Sequence, residues 1–350
     1  MYTAVNSRFS ARFRVMSAVA WLMLACMHAH ACPVAPTTMR AVQLVGHGGP
    51  EQLKMVDMPV PAPAAGEVLI RISAASVNPV DWKIRMAENL PMKFPVVQGA
   101  DASGIIVGLG AGVDGFRCGD PVVAFLDNAP QGGYAEYVAA VVSSVALKPA
   151  DLTYREAAAY PLVAVTAWQM IEVAKIAKGE RVLVQGGSGG VGSMAVQIVK
   201  SRGAYVIATA SARNQEYLKS IGADETIDYA ATAFEQVVHD VDVVLDTVGG
   251  DTLKRSPAVL KKGGRLVTVT GTAPADVCRS SGIACATAEA SNNGKALLHV
   301  SDLIRKGALR INVEEVFPLQ KAGEAQELSR AGHTRGKIVL DVRADAAAKS

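Results

Sequence analysis

Two hydrophobic patterns divide the chain. Between residues 39 and 160, apolar residues come in short runs rich in Val and Ile and bounded by Pro and Gly. Examples are 67–72 (EVLIRI), 104–109 (GIIVGL) and 121–125 (PVVAF). Such runs between turn formers predict strands, and the region as a whole an all-β module. The proline-rich stretch 59–67 (PVPAPAAGE) reads as a surface loop. Near residue 151 the pattern changes. Asp151, with Glu156 behind it, reads as the acidic N-cap of a helix. Strands and helices then alternate: strand 181–185 (RVLVQ), helix 193–202, strand 204–209 (AYVIAT), helix 214–221, and strands 241–246 and 265–270. Strands separated by helices predict an α/β fold with a parallel, doubly wound sheet. After residue 305, segments 311–317 and 337–342 are strand-like again and read as rejoining the first module.

The first 38 residues stand apart. Arg8, Arg12 and Arg14 are their only charges, the run 15–27 is apolar, and Ala29-His30-Ala31 follows. A basic start, a short apolar run and an Ala-x-Ala site form a secretory signal pattern. The run is too short for a stable membrane span. An Arg-rich, acid-free leader also suits an organelle transit peptide. From Met39 the chain reads as a complete protein start, so an over-extended start is a third reading. The expected compartment is cytoplasmic if the protein begins at Met39, and exported or organellar if the leader is genuine.

A chain of 350 residues suits two domains. Beyond the leader, 32 basic residues balance 32 acidic ones, which gives no reason to expect nucleic acid as a partner. The five cysteines (Cys26, Cys32, Cys118, Cys278 and Cys285) show no Cys-x-x-Cys spacing and are read as thiols.

The strongest chemical signal is the loop 186–192 (GGSGGVG), which leaves an apolar strand and opens a helix. In that context Gly187-Ser188-Gly189-Gly190-Val191-Gly192 is a dinucleotide-binding fingerprint. Gly187 is assigned the tight turn, Gly189 the close approach of backbone to pyrophosphate, and Gly192 the packing of helix on strand. The helix N-terminus offers free N–H groups to the phosphates. Sites specific for NAD carry an acid after the second strand, for the ribose 2′-hydroxyl. Here the sequence is Thr209-Ala210-Ser211-Ala212-Arg213. Ser211 and Arg213 suit a 2′-phosphate, so NADPH is the expected cofactor. Thr247 and Val248 follow the fourth strand and are expected at a ribose. Gly271 follows the fifth and is expected beside the nicotinamide.

From Met39 onward the chain resembles the zinc-independent medium-chain dehydrogenase/reductase superfamily, and within it the quinone oxidoreductases of the zeta-crystallin type. The resemblance is carried by segments in order: 74–85 (AASVNPVDWKIR), 98–110 (QGADASGIIVGLG), 119–125 (GDPVVAF), 132–138 (GGYAEYV), 157–168 (AAAYPLVAVTAW), 186–197 (GGSGGVGSMAVQ), 222–229 (GADETIDY), 242–250 (DVVLDTVGG), 260–267 (LKKGGRLV) and 335–340 (RGKIVL). It implies a GroES-like β-rich domain (39–160 and 305–350) around a Rossmann domain (161–304), with 1–38 as leader. It also implies a small-molecule substrate and a homodimer. Where zinc-dependent members carry a catalytic Cys and a Gly-His-Glu motif, this chain has Ser76-Val77-Asn78 and Gln98-Gly99-Ala100-Asp101. No metal site is therefore expected, since zinc needs three or four Cys, His or acidic ligands.

Without a Lewis acid, the resemblance and the chemistry point to hydride addition onto a quinone or an α,β-unsaturated carbonyl. Asn78 matches the position facing the nicotinamide and is expected to hydrogen-bond the substrate carbonyl. Asp81 is expected to orient that loop, or to serve only as a turn former. Trp82-Lys83 replaces the polar residue and tyrosine usual there, and Lys83 either takes over the tyrosine's hydrogen bond or faces solvent. Thr166 and Tyr229 match positions at the pyrophosphate or ribose and at the adenosine phosphate. Arg335 and Lys337 serve the site or face solvent. The alternatives are a non-catalytic NADPH-binding protein and a metal-free alcohol or aldehyde oxidoreductase.

Overall fold

The computed structural model describes residues 32–126, 131–273, 275–290 and 294–343. The leader up to residue 31, with Cys26, lies outside the described residues.

The β-rich part starts with β1 (Thr38–Leu44), β2 (Leu53–Pro59), β3 (Glu67–Val77), helix α1 (Pro79–Met86), β4 (Val96–Val97), β5 (Asp101–Leu109), β6 (Pro121–Phe125), β7 (Tyr137–Val141) and β8 (Val145–Leu147). Helices α2 (Tyr154–Ala158) and α3 (Pro161–Ala174) lead out of it. An alternating run follows: β9 (Arg181–Gln185), α4 (Gly190–Ser201), β10 (Tyr205–Ala210), α5 (Gln215–Ser220), β11 (Glu225–Asp228), β12 (Val241–Asp246), α6 (Gly250–Arg255), β13 (Leu260–Thr268), α7 (Ala275–Ser281), β14 (Ala284–Thr287) and α8 (Gly294–Arg305). The chain closes with β15 (Val313–Pro318), α9 (Ala322–Arg330) and β16 (Lys337–Asp341).

Strands β9 to β14 form a six-stranded sheet in the order β11-β10-β9-β12-β13-β14, and every pair in it is parallel. This is a doubly wound, Rossmann-type sheet. The order reverses beside β9, so the crevice at its carboxyl end is where such sheets bind ligands. The other large sheet has the order β15-β16-β3-β5-β6-β8, with β7 also on β3. The C-terminal strands therefore do return to the first module: β16 pairs antiparallel with β3 over Ala74–Val77.

Strand β3 runs five residues beyond the predicted end at Ile72. Its second half, Ser73-Ala74-Ala75-Ser76-Val77, lacks the large apolar residues that mark a strand. Small side chains are needed there, because Ala74 packs under Ala158, Ala159 and Val339. The helix expected at Asp151 is capped instead by Thr153. Its hydroxyl accepts from the Glu156 N–H, while the Glu156 carboxylate accepts from the Thr153 N–H at 2.8 Å.

The cysteine reading is corrected. Cys32 is bonded to Cys118, and Cys278 to Cys285. Spacing in sequence could not reveal the first pair, whose members are 86 positions apart. Among the described residues, no helix is long and apolar enough to cross a membrane.

Candidate active site

The glycine loop joins β9 to α4 at the centre of the parallel sheet. The tight turn belongs to Gly186 (φ +70°), not Gly187. A Cβ on Gly186 would also strike Thr247 Oγ1 at 2.8 Å and Val248 Cγ2 at 2.9 Å. Gly187 is a packing glycine: a Cβ there would lie 2.9 Å from Ala208 Cβ. Gly192 is tightly packed, since its Cβ would sit 2.1 Å from the Gly186 carbonyl oxygen. Gly189 differs, for its Cβ would meet only that same oxygen, at 3.5 Å, so this part of the loop presents bare backbone to open space. It leads directly into α4, whose first N–H groups have no partner within the helix.

Neighbouring loops converge on this turn. Thr247 donates its hydroxyl to the Gln185 carbonyl at 2.7 Å, which holds Thr247 and the exposed Val248 above Gly186. Asp246 is wholly buried and organises both loops. It accepts the Gly249 N–H at 3.1 Å, the Thr268 hydroxyl at 2.8 Å and the Thr270 hydroxyl at 3.0 Å. Sequence reasoning passed over Asp246; its signal is an acid ending an apolar strand three residues before Gly249-Gly250. Gly271 follows Thr270 and has open space around it.

At the end of β10, the buried Asn214 amide donates to the Ser188 hydroxyl at 3.2 Å and the Ser211 hydroxyl at 3.3 Å. Tyr229 lies beside them, its N–H on the Ala210 carbonyl at 3.2 Å and its side chain exposed. Arg213 is exposed but partnered: it donates to the His333 carbonyl and stands 3.8 Å from Glu314. Arg335 approaches the same Glu314 at 3.6 Å. Thr166 is buried in α3, with its hydroxyl on the Leu162 carbonyl one turn back at 2.7 Å.

The other wall is the end of β3. Asn78 caps α1 and is 1% exposed. Its Nδ2 donates to Asp101 Oδ2 at 2.8 Å, and its Oδ1 accepts from Lys337 Nζ at 2.5 Å. Lys337 also donates to the Val77 carbonyl at 2.6 Å, and Asp101 lies 3.7 Å away. Of the two readings of Lys337, the solvent-facing one fails, because only 5% of the residue is exposed. Burial pulls its ammonium down from the ordinary lysine range, with Asp101 and Asp81 opposing. Asp101 further accepts the Ser76 hydroxyl and the Leu162 N–H, both at 2.7 Å, so it ties β3 to the start of α3.

Asp81 closes the turn at the start of α1. Its Oδ2 takes the Asn78 N–H and the Tyr134 hydroxyl, each at 2.8 Å. Burial pushes its carboxyl up to about 6, against the pull of these donors and of Lys337. Lys83 is exposed, with its ammonium 5.7 Å from the Trp82 ring centre.

The two walls are joined by backbone. Gly336 donates to the Ser188 carbonyl at 2.8 Å and forms a bridge with Gly189. Lys337, the next residue, runs past Gly190 to reach Asn78; a Cβ on Gly190 would lie 3.1 Å from Lys337 Cδ. Among the described residues, no three His, Cys, Asp or Glu side chains are grouped as metal ligands.

This architecture recurs in known proteins. Residues 64–151 match the family model described as an alcohol dehydrogenase GroES-like domain, and residues 221–340 the one described as zinc-binding dehydrogenase. The chain is 32% identical over 334 residues to a chloroplastic quinone-oxidoreductase homolog of Spinacia oleracea, covering 88% of this chain and 100% of that one. It belongs to the medium-chain dehydrogenase/reductase superfamily. A 2-methylene-furan-3-one reductase of Solanum lycopersicum is 35% identical, with 87% of this chain and 79% of that one covered. The quinone oxidoreductase of Coxiella burnetii superposes with a TM-score of 0.82 at 35% identity, covering 87% of this chain and 100% of that one. As a member of this superfamily the chain is an oxidoreductase that uses a nicotinamide cofactor.

Proposed function

We propose that this chain uses NADPH to reduce a quinone or an α,β-unsaturated carbonyl, without a metal ion. The observation that carries this reading is the junction of Asn78 with the glycine loop, made through Lys337, Gly336 and Ser188. On this reading the Asn78 amide is a donor to a ligand in the dinucleotide crevice.

The crevice fits a dinucleotide. Gly189 offers bare backbone, and the N-terminus of α4 offers donors and a positive dipole end to the pyrophosphate. Ser188, Gly190 and Val191 complete that cradle, with Thr166 behind it. Thr247 and Val248 would border the ribose, and Gly271, with nothing within 4 Å of an added Cβ, would leave room for the nicotinamide ring. Ser211, Arg213 and Tyr229 would hold the 2′-phosphate end. Bound there, the cofactor supplies the hydride.

Asn78 has one amide N–H beyond the bond to Asp101. That N–H donates to the acceptor's carbonyl oxygen and stabilises the negative charge that grows on it. Lys337 and Asp101 fix the amide, and Asp81 fixes the turn. Zinc-free chemistry rests on residue type. Ser76 and Gln98 offer no thiolate or imidazole, and Ser76 and Asp101 are committed to each other and to Asn78.

Turnover of a panel of quinones and enones, followed as loss of NADPH absorbance with and without a chelator, tests this reading. Chelator-insensitive reduction of either class is expected. Tight NADPH binding with no acceptor reduced would favour a binding protein, and loss of activity on chelation would refute the metal-free chemistry. A homodimer belongs to the same proposal and is checked by light scattering.

A further inference from the structure

Every cysteine among the described residues lies in a disulfide. Cys32 and Cys118 have Cα atoms 5.2 Å apart, and Cys278 and Cys285 6.0 Å apart, both normal for a cystine. The first bond ties the segment entering β1 to the turn before β6. The second ties α7 to β14 at the edge of the parallel sheet. Neither pair has the Cys-x-x-Cys spacing of a catalytic dithiol, and neither touches the glycine loop or Asn78. They are structural cross-links, which persist in oxidising compartments and are rare where glutathione keeps thiols reduced.

A second observation meets the first at one peptide bond. Cys32 directly follows Ala29-His30-Ala31, the small-residue site behind a basic, acid-free start and a short apolar run. Cleavage after Ala31 removes Cys26, the one cysteine outside the two pairs. It leaves Cys32, the residue that pairs with Cys118, as the first residue.

We propose that the chain is made as a precursor, is cut between Ala31 and Cys32, and folds in an oxidising compartment with Cys32–Cys118 and Cys278–Cys285 as structural disulfides. Hydrolysis consumes one water and yields the Ala31 carboxylate and the Cys32 amine. Each cystine then forms by exchange with the disulfide of a thiol-oxidising protein. The two cysteine sulfurs lose two electrons and two protons, and the carrier's disulfide becomes two thiols. This proposal does not depend on which acceptor the enzyme reduces.

The test is to express the full chain with its own leader and determine the N-terminus and intact mass. Iodoacetamide is added before reduction in one sample and after it in another. The expected product begins at Cys32, takes up no label before reduction and four labels after it, and carries no other added mass. An N-terminus at Met1 or Met39, labelling without reduction, or an acyl group on Cys32 would each overturn the proposal. In a second arm, Ala31→Arg should accumulate precursor, because signal cleavage needs a small residue there. Unchanged release of a chain beginning at Cys32 would overturn it as well.

Discussion

The Lys337 ammonium, at the start of the last strand, donates to the side-chain oxygen of Asn78, at the end of the third, across 259 positions of sequence. That bond fixes the amide so that its nitrogen donates to Asp101 at 2.8 Å. It also makes the lysine a buried cation whose nearest carboxylate, Asp101, is buried too. Lys337→Met should therefore leave Asp101 as an uncompensated buried charge and cost roughly 3–5 kcal/mol. Lys337→Met with Asp101→Asn should cost clearly less than the sum of the single changes. Urea unfolding of the four proteins checks this, and strict additivity would count against the coupling.

Asp81 makes stability depend on pH in a stated direction. Its folded carboxyl is raised to about 6 from 3.8, so the folded state holds the proton more tightly than the unfolded chain. The resulting stabilisation is complete below pH 3.8 and is lost as pH rises through 6. The stability of the native protein minus that of Asp81→Asn should fall by about 2 kcal/mol between pH 4.5 and pH 7.5. A difference that does not change with pH would refute this.

The proposed choice of NADPH is testable at Arg213 and Glu314. Glu314 lies near both Arg213 and Arg335, and its negative charge opposes a 2′-phosphate. Arg213→Ala should weaken NADPH binding by about 1–3 kcal/mol and leave NADH nearly unchanged. Glu314→Gln should strengthen NADPH binding selectively. Fluorescence titration with both cofactors decides, and equal affinities in the unmodified protein would refute the NADPH assignment.

Glycines of the crevice separate packing from access. Gly192→Ala drives a methyl group to 2.1 Å from the Gly186 carbonyl oxygen, so the helix must move. Gly271→Ala meets nothing within 4 Å. We expect Gly192→Ala to lower the midpoint of thermal unfolding and to abolish cofactor binding. Gly271→Ala should leave the midpoint unchanged and affect only binding or turnover. Equal midpoints for the two variants would contradict the packing role.

The buried Asp246 predicts a remote effect of the same kind. Asp246→Ala strips the partner from the Gly249 N–H and from the Thr268 and Thr270 hydroxyls. Both loops over the crevice should loosen. Cofactor affinity should fall at least about tenfold, the equivalent of one lost charged hydrogen bond. Affinity within twofold of the native value would show that the loops hold without it.

Local signals made much of this protein legible in one dimension. The alternation of strands and helices, and a glycine run leaving an apolar strand for a helix, depend on neighbours a few residues apart, and they specified the doubly wound sheet and its turn. The strand-like character of segments 311–317 and 337–342 was legible for the same reason. What sequence alone left open depends on long-range pairing. Lys337 and Arg335 carry the same charge two positions apart, yet one is buried against Asn78 and the other is half-exposed beside Glu314. Arg335 precedes β16, whereas Lys337 opens it, paired with Val313 on β15 and reaching Asn78 at the end of β3, so partners far away in sequence separate them. Cys32 and Cys118 are brought together in the same way, by packing of the β-rich module across 86 positions. Local chemistry marked where the dinucleotide loop lies, and tertiary packing alone decided which distant side chains close the site around it.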